Sequence, residues 1–405
     1  MVPSKYLKLW LESRLEKYRE MHPKVISSAV MIAASGVAAI VAIAYAHIIE
    51  WATSMMILMS TQYRWYFLGT APLFFIAAWA LVRYFAPETG GSGIPQVLAE
   101  IERSSSQPKS SRSALKNLKL IAVKIVSSTL AVLGGGVVGR EGPTIQISAA
   151  IFEMFDGVFK KYVSSHKSRE TLLIAGGAAG LAAAFNTPLG GVVFAIEELA
   201  SQHFKNFKGS LILSVVIAGY VTQAILGPYL FIGHPTIGLV TVTDTMWGLL
   251  VATAIGILGA GFGKGLYRIA QWVKRFSDLH RLIIAGCVGL IVSAVCIGLG
   301  TDASAGGSLL IQKLLFTTGQ TSHDISWALA VWRVLGVAVT YISGCAGGIF
   351  APSLAAGAAL GAAFAQAFSF DNQNLIIVLA MIAFLTGATR SPFTSFILVF
   401  EMTDR

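Results

Sequence analysis

Charge is scarce in this chain. Only 12% of its 405 residues are Asp, Glu, Lys or Arg, against about 25% in a soluble globular protein, which excludes an ordinary water-soluble domain. Cysteine is scarcer still: Cys287, Cys296 and Cys345 lie in apolar segments without metal-like spacing and are expected to be packing residues. Of seven histidines only His47 falls well inside an apolar run, where a hydrogen-bonded structural role is expected. The N-terminal segment has no small-residue cleavage site after a short apolar core, so it does not read as a signal peptide.

What is present is apolar. Hydrophobic residues make up 55% of the chain, mean hydropathy is +0.70, and many runs approach the roughly 20 residues that cross a bilayer. These features predict an all-α, multi-pass membrane protein. Forty-one glycines suit close helix packing and interrupted helices. The formal charge of +10 is no nucleic-acid signature, because the basic residues sit in loops between spans. That distribution reports orientation. Residues 1–24 carry Lys5, Lys8, Arg14, Lys17, Arg19 and Lys24 and read as a cytoplasmic surface helix.

Taken in order, Val25 to about Trp51 spans outward and Tyr66 to Phe85 returns to a basic stretch from Arg103 to Lys119. Ala122 to Val138 goes out, and Thr144 to Phe159 comes back to Lys160, Lys161, Lys167 and Arg169. Leu172 to Ala184 rises, Asn186-Thr187-Pro188 breaks the run, and Leu189 to Leu199 descends. Leu211 to Leu226, Trp247 to Ala270 and Ile283 to Leu299 follow, with the loop 227–244 free of Lys and Arg. The positive-inside rule holds through this stretch and places the N-terminus in the cytoplasm.

The second half echoes the first. Gly90-Gly91-Ser92 resembles Gly306-Gly307-Ser308, Gly139 to Pro143 resembles Gly347 to Pro352, and Pro188 and Glu197 have the same nine-residue spacing as Pro392 and Glu401. Paired interruptions in two halves point to a transporter of repeats with its substrate site where the broken helices meet. The division expected is residues 25–226 for the first repeat and 227–405 for the second.

Gly139-Arg140-Glu141-Gly142-Pro143 stands between two apolar runs, where ionisable residues are costly and default to function. Pro143 suits a first helical turn, and the glycines permit a sharp turn and close approach to a ligand. The pentapeptide therefore reads as the start of a broken helix whose positive tip faces an anion. With Gly91-Ser92-Gly93-Ile94-Pro95 and Gly347-Gly348-Ile349-Phe350-Ala351-Pro352 it makes three such starts. Together they can replace part of an anion's hydration shell without the over-tight grip of a buried cation. Glu141 is stationed to compete for the same amides when ionised and to leave when protonated.

These three motifs, in this order, with Phe185-Asn186-Thr187-Pro188 to Glu197-Glu198 and Glu401-Met402-Thr403-Asp404, resemble those of the CLC chloride channels and proton/chloride antiporters. The resemblance covers roughly Val25 to Arg405. It implies a fold of two inverted repeats with broken, re-entrant helices, a homodimer with one pore per subunit, and a place in the bacterial inner membrane. It implies chloride and protons as substrates and no cofactor. By resemblance, Ser92 and the amides of Ile349 and Phe350 coordinate the central anion, with Gly93, Ile94, Arg140 and Gly142 beside them. Ser at position 92 matches the chloride-selective pattern. Glu141 then serves as gate and outer proton acceptor and Glu198 as inner proton acceptor, while Glu197 either assists proton entry or pairs at the helix end.

Glu198 favours exchange over the alternative of a passive channel of the same fold, since the family's channels usually carry an uncharged residue there. Lys124 either biases the potential toward anions or satisfies carbonyls, and Arg333, Arg390 and Glu401 are expected in packing or interface pairs. Relatives continue past the Glu-Met-Thr-Asp element into two more helices, the last bearing a Tyr anion ligand that no residue here matches. The expectation is either a truncated sequence or a site without that ligand. A rival from another class is an intramembrane serine protease, since Gly90-Gly91-Ser92-Gly93 fits a Gly-x-Ser-Gly nucleophile pattern. That chemistry needs a histidine base, and nothing marks His47 as the partner of Ser92.

Overall fold

A computed structural model describes residues 23–106, 118–159, 169–200, 208–227, 232–316 and 325–403. The predicted surface helix over residues 1–24 falls almost wholly outside this set. The described chain is helical, with no β-strand longer than an isolated bridge among the described residues.

The first helix, α1 (Pro23–Gln62), is 40 residues long and runs past the Trp51 at which the sequence reading stops it. Nothing between Trp51 and Tyr63 breaks a helix: the stretch holds no glycine or proline. At about 1.5 Å per residue it is about twice the thickness of a hydrocarbon core. Then come α2 (Arg64–Phe85), α3 (Ile94–Ser106), α4 (Leu118–Leu133), α5 (Glu141–Phe159) and α6 (Arg169–Phe185). The Asn186-Thr187-Pro188 break leads into α7 (Pro188–Phe194), whose end widens into a π-turn over Ala195–Leu199. After α8 (Lys208–Leu226) the pattern resumes with α9 (Val242–Val273), α10 (Asp278–Leu299), α11 (Ser308–Phe316), α12 (Trp327–Ile342), α13 (Phe350–Ala367), α14 (Gln373–Thr389) and α15 (Pro392–Thr403). Six of these helices are long and apolar enough to cross a membrane.

The repeat seen in the motifs extends to whole elements. Helices α2 to α7 match α10 to α15 in order and character, and the contacts match too: α1 packs on α6 as α9 packs on α14, and α5 on α6 as α13 on α14. The centre is built from small residues. Helix α6 is buried continuously from Thr171 to Phe185, and α13 from Phe350 to Ala363. Between helices in lipid there is no hydrophobic drive, so backbones that approach closely supply the packing. A Cβ added at Gly180 of α6 would stand 2.7 Å from the Cβ of Ser148 on α5, and one at Gly361 of α13 would stand 2.6 Å from the Cβ of Ala380 on α14.

Candidate functional site

Three loops that are far apart in sequence are tied into one knot at the centre. Gly91 N–H donates to the Cys345 carbonyl at 2.9 Å, and Gly347 N–H donates to the Gly91 carbonyl at 3.1 Å. Gly139 and Gly348, equivalent positions in the two repeats, exchange both backbone hydrogen bonds at 2.8 and 2.7 Å. That pairing is antiparallel, so the two equivalent loops meet head to tail, as inverted repeats require. The knot fixes where α3, α5 and α13 begin, and each beginning presents unpaired N–H donors and a partial positive charge.

Ser92 and Gly93 lie just before α3, and Ile94 is its first residue; all three are buried. Ser92 is 3% exposed, and its hydroxyl has no hydrogen-bond partner among the described residues, as for a donor aimed at a ligand. A side chain on Gly142 would strike it, since a Cβ there would stand 2.6 Å from Ser92 Oγ and 3.3 Å from the Gly348 Cα. Gly142 therefore has to be glycine for the three loops to meet. Helix α13 opens with Ile349 at its N-cap, which supplies no side-chain cap. The buried Phe350 ring packs edge-on against Phe194 at 6.1 Å between centroids, with Phe185 at 6.5 Å.

Glu141 is the first residue of α5 and is 2% exposed. Its carboxylate crosses to the other repeat, where Oε2 accepts from the Ala351 N–H at 3.4 Å. The negative group thus sits at the positive tip of α13, and Gly139 leaves room for it, because a Cβ there would clash with the same oxygen. Arg140 turns elsewhere. Its Nη1 donates to Glu50 Oε1 at 3.0 Å, in a cavity of about 470 Å³ lined also by His47, Glu141, Asp302 and Ser308. His47, expected in a hydrogen-bonded structural role, faces this same cavity. Its side chain is largely exposed toward this cavity, with Nδ1 3.4 Å from Glu50. Ser92 therefore has no histidine bonded to it, and the protease reading has no dyad among the described residues.

The buried cations brace backbone. Lys124 Nζ donates to the carbonyls of Thr89 and Gly91 at 2.8 Å each, just ahead of α3. Its counterpart Arg333 does the same ahead of α11, with Nη1 at 2.9 Å from the Ser304 carbonyl, 3.3 Å from that of Ala305 and 3.4 Å from that of Asp302. Arg333 is thus a loop brace, with no ion pair among the described residues. Arg390 is exposed and caps the end of α14 in a left-handed conformation, φ 64°. Cys296 and Cys345 are buried as expected, whereas Cys287 is exposed.

Glu198 lies in the π-turn that ends α7, a local widening that recurs at functional sites. Its Oε2 is buried without a hydrogen-bond partner among the described residues. Glu197 faces α15 instead and accepts hydrogen bonds from that helix's first turn. Sequence reasoning missed a further charged group: Arg169, at the start of α6, bonds both Glu100 of α3 and Glu153 of α5, two buried carboxylates. No spacing in the sequence links those three; only the packing of the start of α6 against α3 and α5 does.

A family model described as "Voltage gated chloride channel" matches residues 73–405. The chain belongs to this family. Among its relatives, an H(+)/Cl(−) exchange transporter ClcA of Citrobacter koseri is 32% identical over 91% of this chain and 79% of its own length. The protein of the same name from Salmonella typhi is 31% identical over 90% of this chain and 78% of its own length. The fold is that of solved members of the family. The crystal structure of a slow cyanobacterial Cl−/H+ antiporter superposes with TM-score 0.79 at 23% identity, covering 93% of this chain and 89% of that one. A CLC-type fluoride/proton antiporter gives 0.77 at 20%, covering 95% and 92%. In this family setting the chain is a membrane protein of all-α, two-repeat architecture.

Proposed function

We propose that this protein exchanges chloride for protons across the membrane. The observation that carries the reading is the Glu141 carboxylate seated on the start of α13 by the Ala351 amide. A titratable anion there occupies a seat fit for a halide, so anion and ionised carboxylate compete for it. Protonation removes the attraction and frees the seat, which couples the two movements. Ser92, Gly93, Ile94, Gly142, Ile349 and Phe350 surround the central anion, with Arg140 beside the approach to it. Glu198 accepts the proton from the other side. The exchange activity in the relatives' names supports the same reading.

The membrane is the bacterial inner membrane, with the N-terminus cytoplasmic, on the strength of the basic loops. The repeats divide near residue 226. The working unit is a homodimer, with lipid or the second copy covering exposed apolar side chains such as Phe393, Phe396 and Phe400. The test is reconstitution in liposomes under a chloride gradient, with external pH and chloride recorded together. Protons driven uphill by chloride are expected. Chloride flux without proton movement would make the protein a passive channel of the same fold.

A further inference from the structure

Helices α7 and α15 occupy equivalent positions in the two repeats and close each other's ends. Glu197, at the end of α7, accepts from the Phe393 N–H at 3.2 Å, the Thr394 N–H at 2.7 Å and the Thr394 hydroxyl at 2.7 Å, all in the first turn of α15. Glu401, at the end of α15, accepts from the Leu189 N–H at 3.2 Å and the Gly190 N–H at 2.9 Å, in the first turn of α7. Each carboxylate therefore satisfies donors that an isolated helix leaves unpaired, and lies where the helix dipole favours negative charge. Within a bilayer, donors left unpaired at such a break would be costly. The matched Pro-to-Glu spacing in the two halves is the sequence trace of this reciprocal clasp.

The residue after each glutamate differs. Met402 follows Glu401 and is fully buried. Glu198 follows Glu197, on the π-turn, with an oxygen that is buried and unpartnered. Beside it lies Ser391, which immediately precedes the first residue of α15 and whose hydroxyl donates to the Thr389 carbonyl at 3.5 Å. The cap made by Glu197 thus sets the start of α15, and with it Ser391, against Glu198.

We propose that Glu197 and Glu401 are positioning residues for proton transfer: their reciprocal caps lock α7 to α15 and so aim the Glu198 carboxylate, and neither carries the proton itself. This rests on the exchange reading, with Glu198 as inner proton acceptor. Wild type and Glu198→Gln are therefore measured first. A wild type that moves no protons ends the exchange reading; a coupled wild type with an uncoupled Glu198→Gln leaves the clasp to be tested separately.

In proteoliposomes, Glu197→Ala and Glu401→Ala are each expected to lower proton flux about tenfold, the scale of losing charge-assisted hydrogen bonds, while chloride flux stays within about twofold. Glu197→Gln keeps an acceptor oxygen and is expected to retain at least about half the wild-type proton flux, with the wild-type pH profile. If Glu197→Gln is as uncoupled as Glu197→Ala while the Glu401 variants couple normally, Glu197 is itself a proton carrier and the proposal fails. It fails equally if both alanine variants slow chloride and protons in parallel at an unchanged ratio, since the caps would then only stabilise the fold. Should the alanine variants not assemble, Thr394→Val, which removes one of the three donors to Glu197, decides. Lowered proton flux at preserved chloride flux supports the clasp, and full coupling overturns it.

Discussion

The two repeats share a scaffold and differ in what can titrate. Pro143 and Pro352 start equivalent helices, Lys124 and Arg333 brace equivalent loops, and Glu197 and Glu401 cap each other's helices. Yet Glu141, first residue of α5, has Phe350 as its counterpart at the start of α13, and Glu198 has Met402. A residue kept in both copies does work that both copies need, which is closing helix ends and pairing carbonyls where no water reaches. Glu141 and Glu198 have no such structural duty shared by both copies and, unlike the buried Glu100 and Glu153, no arginine to pair with among the described residues. Their burial is costly, and the proposed exchange gives a reason for it.

Breaking this division tests it most strongly at the unshared carboxylates. Glu141→Gln is expected to cut proton flux by about 100-fold or more, the scale of losing a positioned proton-transfer group, with chloride flux preserved, as read by paired pH and chloride electrodes. Phe350→Leu, at the matching position, is expected to keep proton and chloride coupled, because it changes shape and not charge. Glu198→Gln is expected to lower proton flux on a similar scale, about 100-fold, whereas Met402→Leu leaves coupling intact. Retained coupling in Glu198→Gln would remove the asymmetry between the repeats.

The shared residues are expected to show in stability instead. Arg333→Met strips the hydrogen bonds from three carbonyls and Lys124→Met from two. Each is expected to cost about 3 kcal/mol or more, the arginine variant the greater, as measured by thermal unfolding in detergent. An unfolding midpoint untouched by either variant would deny the bracing role. The smallest effect belongs to the exposed Arg83–Asp278 pair, 2.8 Å between α2 and α10. Arg83→Ala is expected to leave unfolding and both fluxes unchanged, since a solvated ion pair adds little.

Much of this was legible in the chain. The glycine- and proline-marked breaks at 91–95, 139–143, 186–188 and 347–352 stand where helices start, because those residues permit or force a turn wherever they occur. The equal Pro-to-Glu spacing announced the repeat. What could not be read was partnership across the repeats. Glu197 and Glu198 are adjacent and chemically identical, yet one is capped onto α15 and the other holds an unpartnered oxygen. The π-turn that separates their directions leaves no mark in composition. The extension of α1 to Gln62 is hidden for another reason: Glu50 interrupts the apolar run, while no glycine or proline stands between it and Gln62 to interrupt the helix.

By itself, then, the sequence determined an all-helical membrane protein of two halves, and it set out where the helices break and which carboxylates lie among apolar neighbours. Those are local properties, set by backbone sterics and by the cost of charge in hydrocarbon. Only the tertiary structure decided that Gly139 pairs with Gly348, that Glu141 reaches the start of α13, and that Glu197 and Glu401 cap each other. Hydrogen bonds between residues some 200 positions apart depend on how the repeats dock, and docking is a property of the packed whole.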